Sequence, residues 1–280
     1  MMYRIEKVLN HNTVIAIHQD KHKEVLIMGK GVGFGRKVAE RIEVRPEDRL
    51  YSLQKYKERG GAKEIVKSIA PEFLELTNAV LGEAEKVFGK IDRMVLFPLA
   101  DHIAFAVKRI QNHEQISNPL TEDIRVLFHM EFKVAESIRP LLKKQFQIDI
   151  EDDEIGYVAL HIHSAIEDEK VSQAMQMARS VRECISMVEE AIGKPIDIAS
   201  LSYNRLMNHI RYMVARALSG EKLKVNMNDY MSVRFPKSYA LATSVCDHLA
   251  ASTGLTFDEM EIGYLAMHIE RVYSTCSPST

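Results

Sequence analysis

The feature that most constrains this chain is a duplicated segment. The words EIGYVALHIH and EIGYLAMHIE place His161 and His268 107 residues apart. A second pair of words, LADHIAFAVKR and LMNHIRYMVAR, places His102 and His209 at the same separation of 107 residues. Two distant segments in one register indicate an internal repeat of about a hundred residues. The chain therefore contains two copies of one domain, and each copy carries two histidines at matched positions.

Both copies are predicted to be helical, because helical periodicity covers the chain from residue 62 onward. Asp152 and Asp258 stand where helix N-caps belong. We expect helices near 62–88 (broken at Pro71), 92–113, 121–146, 151–168, 172–192, 198–219, 228–252 and 256–274.

The first part of the chain has a different pattern. Short runs rich in β-branched residues cover 3–9, 13–18, 24–28 and 49–53. Asparagine and aspartate lie between the first three runs, at 10–12 and 20–23, which favours hairpins. We therefore expect a small antiparallel β unit. A unit of this size has a marginal core, so dimerisation through the sheet would help to stabilise it.

Charge also separates this head from the rest of the chain. Residues 1–59 hold 13 Lys/Arg against 8 Asp/Glu, a balance of +5, whereas the remainder carries −7. A basic head on an acidic body suggests that the head binds a polyanion.

A glycine-rich segment, GKGVGFGRK at residues 29–37, lies inside the basic head. It lacks the Gly-Lys-Ser/Thr ending of a phosphate-binding P-loop, and it does not open a helix. Cations at Lys30 and Arg36 can contact phosphates, and Phe34 can stack on an unpaired base. Asn10 and Asn12 offer amide groups to base edges. The alternative is a bulged loop with Phe34 in a local core.

The three cysteines, Cys184, Cys246 and Cys276, are scattered without C-x-x-C spacing, so we expect buried or incidental thiols. No run of about eighteen apolar residues indicates a membrane span. The N-terminal MMYRIEKVLN lacks the apolar core of a signal peptide, so a cytoplasmic location is expected.

The repeated histidines admit two chemical uses. Metal binding is disfavoured, because side chains two residues apart on a helix, such as His161 and His163, diverge, and Glu270 replaces His163 in the second copy. Reversible phosphorylation fits better, since neutral imidazole is a nucleophile near its pKa of about 6.5. Arg109 and Arg216, seven residues after the first histidine of each copy, are natural counter-charges for a phosphoryl group. Structural histidines remain the alternative.

These motifs resemble those of the BglG/SacY/LicT family of transcription antiterminators, and within it the glucose-type members. KVLNHNTVIA and MGKGVGFGRK resemble its co-antiterminator (CAT) RNA-binding domain. DHIAFAVKR with EIGYVALHIHSA resembles its first phosphotransferase-system (PTS) regulation domain, or PRD, and NHIRYMVAR with EIGYLAMHIERV resembles the second. The resemblance implies a multidomain protein in which a small, dimerising antiparallel β domain precedes two homologous all-α helical bundles. The implied bounds are 1–56 for the CAT domain, 57–62 for a linker, and 63–170 and 171–280 for the two PRDs.

The resemblance also implies a function without enzymatic activity, catalytic residues, cofactor or metal. A homodimer would bind an RNA hairpin in nascent messenger and prevent an overlapping terminator from forming. The PTS enzyme II permease would phosphorylate the first PRD, and the phosphocarrier HPr the second. The implied phosphoacceptors are His102, His161, His209 and His268. The implied RNA-binding residues are Lys7, Asn10, Asn12, Gly29, Lys30, Gly31, Phe34 and Arg36.

Two other functions remain open from the residues alone. A DNA-binding activator with the same sensor domains would carry a helix-turn-helix in place of the predicted strands. A phosphotransfer enzyme would pass phosphate onward through its histidines. The two copies also differ near the histidines, with Asn208 in place of Asp101, so an equal response of the two domains does not follow.

Overall fold

A computed structural model describes residues 2–18, 23–53, 61–114, 116–167, 170–198 and 200–276. The chain divides into two compact units. The first contains 1–118 and 130–171, and the second contains 119–129 and 172–280. Most of the expected turn at 20–23 and of the linker at 57–62 lies outside the described residues. None of the helices in the described ranges is both long and apolar enough to cross a membrane.

The N-terminal head is a five-stranded antiparallel sheet with the order β4-β1-β2-β3-β5. Four strands match the expected runs, and none of the described residues of the head is helical, which argues against a helix-turn-helix. The short edge strand β4 was not expected, because RIE is too brief to show a β pattern. The strands are β1 (Met2–Asn10), β2 (Thr13–His18), β3 (Glu24–Met28), β4 (Arg41–Glu43) and β5 (Arg49–Ser52).

Both faces of the central strands are buried. Val14, Ala16 and Ile27 point into the head's own core, which the segment after β3 closes with Val32. Residues on the opposite face, such as Leu26, are also buried. Successive side chains of a strand point to opposite faces, so this continuous apolar run indicates a sheet covered on both sides.

The described chain from residue 61 onward is mainly helical, as predicted. The helices are α1 (Gly61–Ser68), α2 (Pro71–Phe88), a short 3-10 helix (Arg93–Val95), α3 (Leu96–Gln111), α4 (Thr121–Leu127), α5 (His129–Ala135), α6 (Ile138–Phe146), α7 (Asp152–Glu167), α8 (Val171–Ile192), α9 (Leu201–Ser219), α10 (Asn228–Arg234), α11 (Pro236–Thr253) and α12 (Met260–Cys276).

Two helices expected to be continuous are broken, and they break at matched positions. The 228–252 prediction divides at Phe235, whose φ of −134° and ψ of 60° are not helical. Pro236 explains this break, because proline disfavours the helical conformation of the preceding residue. The 121–146 prediction divides first at Phe128, the repeat partner of Phe235, where φ is −113° and ψ is 49°. No proline follows Phe128, so the break there has no local cause in the sequence.

The two expected N-caps differ in outcome. Asp258 caps α12, since its carboxylate accepts a hydrogen bond from the Met260 amide at 3.0 Å. The expectation for Asp152 is wrong, because α7 already includes that residue and its carboxylate instead pairs with Arg139. A negative charge in the first turn still favours the helix through its dipole.

The second unit takes in α4, although α4 lies between helices of the first unit in the chain. The hydroxyl of Tyr203 on α9 donates to Asp123 on α4 at 3.1 Å, and both residues are buried. Burial raises the pKa of both groups. The polar contact thus lies inside the apolar packing of α4 on α9.

Cys184 and Cys246 are buried free thiols, as expected. Burial raises the pKa of each to about 12, which makes them poor nucleophiles at neutral pH. The side chain of Cys276 lies outside the described residues.

Candidate functional site

The two histidines of the first copy meet inside one domain. His102 on α3 and His161 on α7 face each other with ring centroids 5.5 Å apart. Tyr157 and His161 are four residues apart and share one face of α7, and both rings lie against His102. The pair therefore lies between two helices of the first unit.

An acid and an arginine complete this histidine pair. Glu154, the first residue of the EIGY motif, accepts a hydrogen bond from Arg109 Nη2 on Oε1 at 2.6 Å. Its other oxygen, Oε2, lies 3.2 Å from His102 Nε2, although without the angles of a hydrogen bond. Burial alone would raise the pKa of Glu154, but His102 and Arg109 hold it below its ordinary value. The carboxylate is therefore a buried anion between a histidine and an arginine.

The second copy also combines two histidines, a glutamate and an arginine, but the two oxygens of the glutamate are shared differently between the arginine and the histidine. His209 and His268 stack with ring centroids 4.8 Å apart. Arg216 binds both oxygens of Glu261, with Nε at 2.6 Å and Nη2 at 2.8 Å. His209 Nε2 lies 3.7 Å from the same carboxylate. The acid of the second copy is thus held chiefly by its arginine.

One ring nitrogen of each of the four histidines is buried without a hydrogen-bond partner in the described part of the chain. Histidines at matched positions in the two copies bury the same nitrogen. The nitrogen is Nε2 in His102 and His209, and Nδ1 in His161 and His268. Burial lowers the pKa of His161 and His209 to about 3 and that of His268 to about 4. These three rings are therefore neutral at pH 7, each with a nitrogen lone pair that can act as a nucleophile.

The glycine and tyrosine of the EIGY motif pack around the histidines. Tyr264 stacks on His209 with centroids 6.3 Å apart, and Gly263 lies against Asn228 of α10. A Cβ on Gly263 would come within 2.7 Å of the Asn228 side chain, and Gly263 donates its amide to that side chain. This close approach explains why a side chain is excluded there.

His163 takes part in a contact that both copies build with different residues. His163 Nδ1 lies 2.9 Å from Glu131 Oε1. In the second copy, Glu270 replaces His163, Ser238 replaces Glu131, and the Ser238 hydroxyl donates to Glu270 at 2.6 Å. The acid has changed helices while the contact is retained. Sequence reasoning missed this contact, although the 107-residue register relates both pairs of positions.

Glu154 and Glu261 were also missed as site residues. A usable signal existed, because each is the charged residue at the start of a duplicated, otherwise apolar word. Their partners Arg109 and Arg216 lie 45 residues earlier in the chain, beyond the reach of helical spacing. No cluster of three His, Cys, Asp or Glu side chains that could hold a metal is present among the residues described.

In the head, two asparagines organise the end of the sheet. Asn10 Oδ1 accepts from the Asn12 amide at 2.9 Å, and Asn12 Oδ1 accepts from the Gly31 amide at 2.8 Å. The Asn12 carbonyl accepts from the Gly29 amide at 2.9 Å. The β1–β2 turn and the glycine-rich loop are therefore held together, and five of the expected RNA-binding residues share this end of the head: Asn10, Asn12, Gly29, Lys30 and Gly31.

Phe34 projects from the same loop and is 68% exposed, so the local-core alternative for this ring is wrong. Its one ring neighbour among the described residues is His11, edge-on at 5.2 Å. Gly33 packs so closely on β1 that a Cβ would lie 2.2 Å from the Asn10 carbonyl oxygen. Lys7 is exposed on β1, and Arg36 forms a surface ion pair with Glu40 at 3.6 Å.

A polar joint connects the head to the helices of the first unit. Arg93 Nη1 donates to the Tyr51 hydroxyl at 2.6 Å and to Asn78 Oδ1 at 2.7 Å. Arg93 also binds Glu85 on α2, at 2.6 and 3.1 Å, and this bond holds the pKa of Glu85 below its usual range. Strand β5 is thereby tied to α2 and to the 3-10 helix that leads into α3.

A second link reaches the asparagine end of the head. Asn12 Nδ2 donates to Glu75 on α2 at 3.4 Å. One helix of the first unit therefore touches both strand β5 and the end of the sheet where the expected RNA-binding residues gather.

Comparisons with known proteins agree with this architecture. Residues 3–60 match the family described as CAT RNA binding domain, and residues 75–165 and 182–272 each match the PRD domain. The chain is 29% identical over 274 residues to the "GlcA/glcB genes antiterminator" of Staphylococcus carnosus (strain TM300), covering 95% of this chain and 94% of that protein. It is 24% identical over 281 residues to the "Beta-glucoside operon antiterminator" of Dickeya chrysanthemi, covering 99% of both.

A solved structure is also similar. "Crystal structure of GlcT CAT-PRDI" superimposes with a TM-score of 0.52 and 31% sequence identity, over 60% of this chain and 99% of that one. The fold class and the family expected from the motifs are thus confirmed. The chain belongs to the family of transcription antiterminators in which a CAT RNA-binding domain precedes two PRD domains.

Proposed function

We propose that this chain, as a homodimer, binds a hairpin in nascent messenger RNA of a sugar-uptake operon and prevents terminator formation. Phosphorylation of His102, His161, His209 and His268 by the PTS controls this binding. The observation that carries the proposal is the duplicated set of paired histidine, acid and arginine in two domains that follow an RNA-binding head.

The histidine pairs suit a phosphorylation switch. Each pair is packed between helices, so an added phosphoryl group brings two negative charges into a space that already holds two imidazole rings and one carboxylate. Repulsion from Glu154 or Glu261, together with attraction to the neighbouring arginine, would repartition the ion pairs. A local charge is thereby converted into a rearrangement of packed helices.

The phosphoryl donors in this proposal are two proteins of the PTS. The enzyme II permease phosphorylates the first PRD when its sugar is absent, and HPr phosphorylates the second. Glu154 lies close to its histidine, whereas Glu261 is bound chiefly by its arginine, and this difference supports separate responses of the two PRDs to phosphorylation.

The RNA surface in this proposal is the asparagine end of the head with the glycine-rich loop. Exposed Phe34 stacks on an unpaired base, and the cations contact phosphates. The RNA-binding residues are Lys7, Asn10, Asn12, Gly29, Lys30, Gly31, Phe34 and Arg36. The contact between Asn12 and Glu75 and the joint around Arg93 support coupling of the first PRD to this surface.

The remaining parts of the proposal concern organisation. The CAT domain spans 1–56, the linker 57–62, and the PRDs 63–170 and 171–280. The protein works in the cytoplasm as a regulator without enzymatic activity, cofactor or metal.

Two experiments on the full-length chain test the proposal. Purified protein should bind a terminator-overlapping hairpin from its own operon in a gel-shift assay, and Phe34→Ala should weaken that binding at least tenfold, about 1.4 kcal/mol. Incubation with phosphoenolpyruvate, enzyme I and HPr should place acid-labile phosphate on the chain. The absence of hairpin binding at low salt would refute the RNA half, and the absence of label with HPr and permease present would refute the switch.

A further inference from the structure

We infer that Glu154 and Glu261 are positioning residues that hold the proton of His102 and His209 on Nε2, so that Nδ1 is the nitrogen that accepts the phosphoryl group. This inference rests on the proposed function, in which these histidines are phosphorylated. It assigns the reacting atom and the residue that selects it.

The geometry sets the position of the carboxylate. Glu154 Oε2 lies 3.2 Å from Nε2 of His102, and both atoms are buried without a hydrogen-bond partner among the described residues. The second copy places Glu261 Oε2 3.7 Å from Nε2 of His209. In both copies the acid faces the same ring nitrogen.

The chemistry of imidazole then selects the nucleophile. A neutral ring carries one N–H and one lone pair, on different nitrogens. An ionised carboxylate only accepts hydrogen bonds, so it favours the tautomer with the proton on the nitrogen that it faces. Arg109 holds Glu154 in place and helps to keep it charged, and Arg216 binds both oxygens of Glu261. The proton is therefore on Nε2, and the lone pair is on Nδ1.

Access favours the same nitrogen. Nε2 of His102 and of His209 is buried against the carboxylate, where no phosphoryl donor protein can approach in line. In His161 and His268 the buried nitrogen without a hydrogen-bond partner among the described residues is instead Nδ1. The two histidines of each pair thus bury opposite nitrogens.

The transfer is balanced without an additional proton. The Nδ1 lone pair of His102 forms a bond to the phosphorus of the phosphorylated side chain on the donor protein. The bond between the phosphorus and the donor side chain breaks, and the leaving atom of that side chain keeps the electron pair. The His102 ring retains the proton on Nε2 and gains positive charge, which the adjacent carboxylate of Glu154 stabilises.

The closing experiment uses the full-length chain with phosphoenolpyruvate, enzyme I, HPr and the permease's phosphorylated domain. Antibodies specific for Nδ1- or Nε2-phosphohistidine and 31P NMR identify the isomer, and peptide mapping identifies the site. In the native chain we expect the Nδ1 isomer at His102 and His209. The Nε2 isomer at these sites would overturn the inference while leaving the proposed function intact.

Variants test the role of the acids. Glu154→Gln can donate its amide to Nε2 and reverse the tautomer, so we expect initial labelling of His102 to fall at least tenfold while His209 is unaffected. Glu261→Gln should have the mirrored effect, and the two domains control for each other. Glu131→Gln removes a carboxylate of the same domain that contacts His163, and it should change neither rate nor isomer. Unchanged labelling and isomer in both Gln variants would overturn the inference.

A measurement on the unphosphorylated native chain covers variants that fail to fold. Long-range 1H–15N NMR correlations report which nitrogen of each ring carries the proton. We expect the Nε2–H tautomer for His102 and His209. The Nδ1–H tautomer at these two histidines would overturn the inference even if labelling could not be obtained. The expected Nε2–H tautomer in a chain that takes no label would refute the proposed function but not the inference about the tautomer.

Discussion

Each of the two regulatory domains contains a site made of two histidines, a glutamate and an arginine. The two sites differ in how the glutamate oxygens are shared between the arginine and the nearer histidine. In the first, Glu154 shares its oxygens between Arg109 and the neighbourhood of His102. In the second, Arg216 occupies both oxygens of Glu261, and the histidine stands 3.7 Å away. The difference teaches that duplication preserved the components while the pairing changed. The acid of the second domain therefore depends more on its arginine than the acid of the first.

The largest expected effect comes from removing that arginine. Arg216→Met leaves the buried carboxylate of Glu261 without its hydrogen-bond donor, which should destabilise the second domain by about 3 kcal/mol. Arg109→Met should cost about half as much, since Arg109 gives Glu154 a single bond and His102 stays close to the other oxygen. Hydrogen exchange of α12 and α7 in the full-length variants measures each domain. Equal losses would contradict the asymmetry.

Acid should destabilise the second domain more steeply than the first. A buried histidine whose folded pKa is depressed stabilises the fold fully above its unfolded pKa of about 6.5, and loses that contribution as the pH falls towards its folded pKa. The first domain has one such residue, His161 at about 3, and the second has two, His209 at about 3 and His268 at about 4. Each fully buried histidine contributes a slope of about 1.4 kcal/mol per pH unit, with less from the partly exposed His268.

The measurement is hydrogen exchange in α7 and α12 between pH 7 and pH 5, corrected for the intrinsic exchange rate. His209→Asn should flatten the pH dependence of the second domain and leave that of the first unchanged. A steeper loss in the first domain would contradict the lowered pKa values of the stacked pair.

A smaller effect is expected at the contact between Glu131 and His163, where the second copy carries its glutamate on the other helix. His163→Glu places a second carboxylate against Glu131 and should cost about 1–2 kcal/mol at pH 7. The double variant Glu131→Ser/His163→Glu recreates the pair of the second domain and should recover most of that loss. Urea unfolding of both variants gives the coupling energy. An additive result would show that the two contacts are not equivalent.

A still smaller effect is expected from Ser238→Ala. It removes the hydroxyl that donates to Glu270, but Glu270 is partly exposed and water can replace the bond. We expect a loss of about 1 kcal/mol, seen as a shift in the urea midpoint with an unchanged slope. Thr243→Ala, on the same helix with its hydroxyl on a helix carbonyl, serves as the matched control and should cost less. A loss above that of His163→Glu would contradict this order.

Much of the fold was predictable because local sequence patterns and the internal repeat both indicate it. Strands β1, β2, β3 and β5 follow from β-branched runs between turn residues, and the histidine pairs follow from the 107-residue register. The break at Phe235 was signalled by Pro236, whereas the matched break at Phe128 has no proline and was not predictable. The break at Phe128 therefore has no signal in the local sequence.

The acid of each site was not predicted, for a physical reason. Glu154 meets Arg109 across 45 residues, and only the packing of α3 on α7 brings them together. Sequence spacing shows which residues share one helical face, but it does not show which faces meet. The joint around Tyr51 and Arg93 was missed for the same reason, since its partners lie 42 residues apart.

The contact that joins Glu131 to His163 in one copy and Ser238 to Glu270 in the other also limits the evolutionary route between them. Two substitutions separate the copies, so one of two intermediates must have existed unless both changed together. An intermediate with two glutamates would place like charges within hydrogen-bonding distance, whereas one with serine and histidine would keep a neutral hydrogen bond. Only the second order of substitutions avoids this contact between like charges. A present-day domain with serine and histidine at these two positions would be a surviving example of that step.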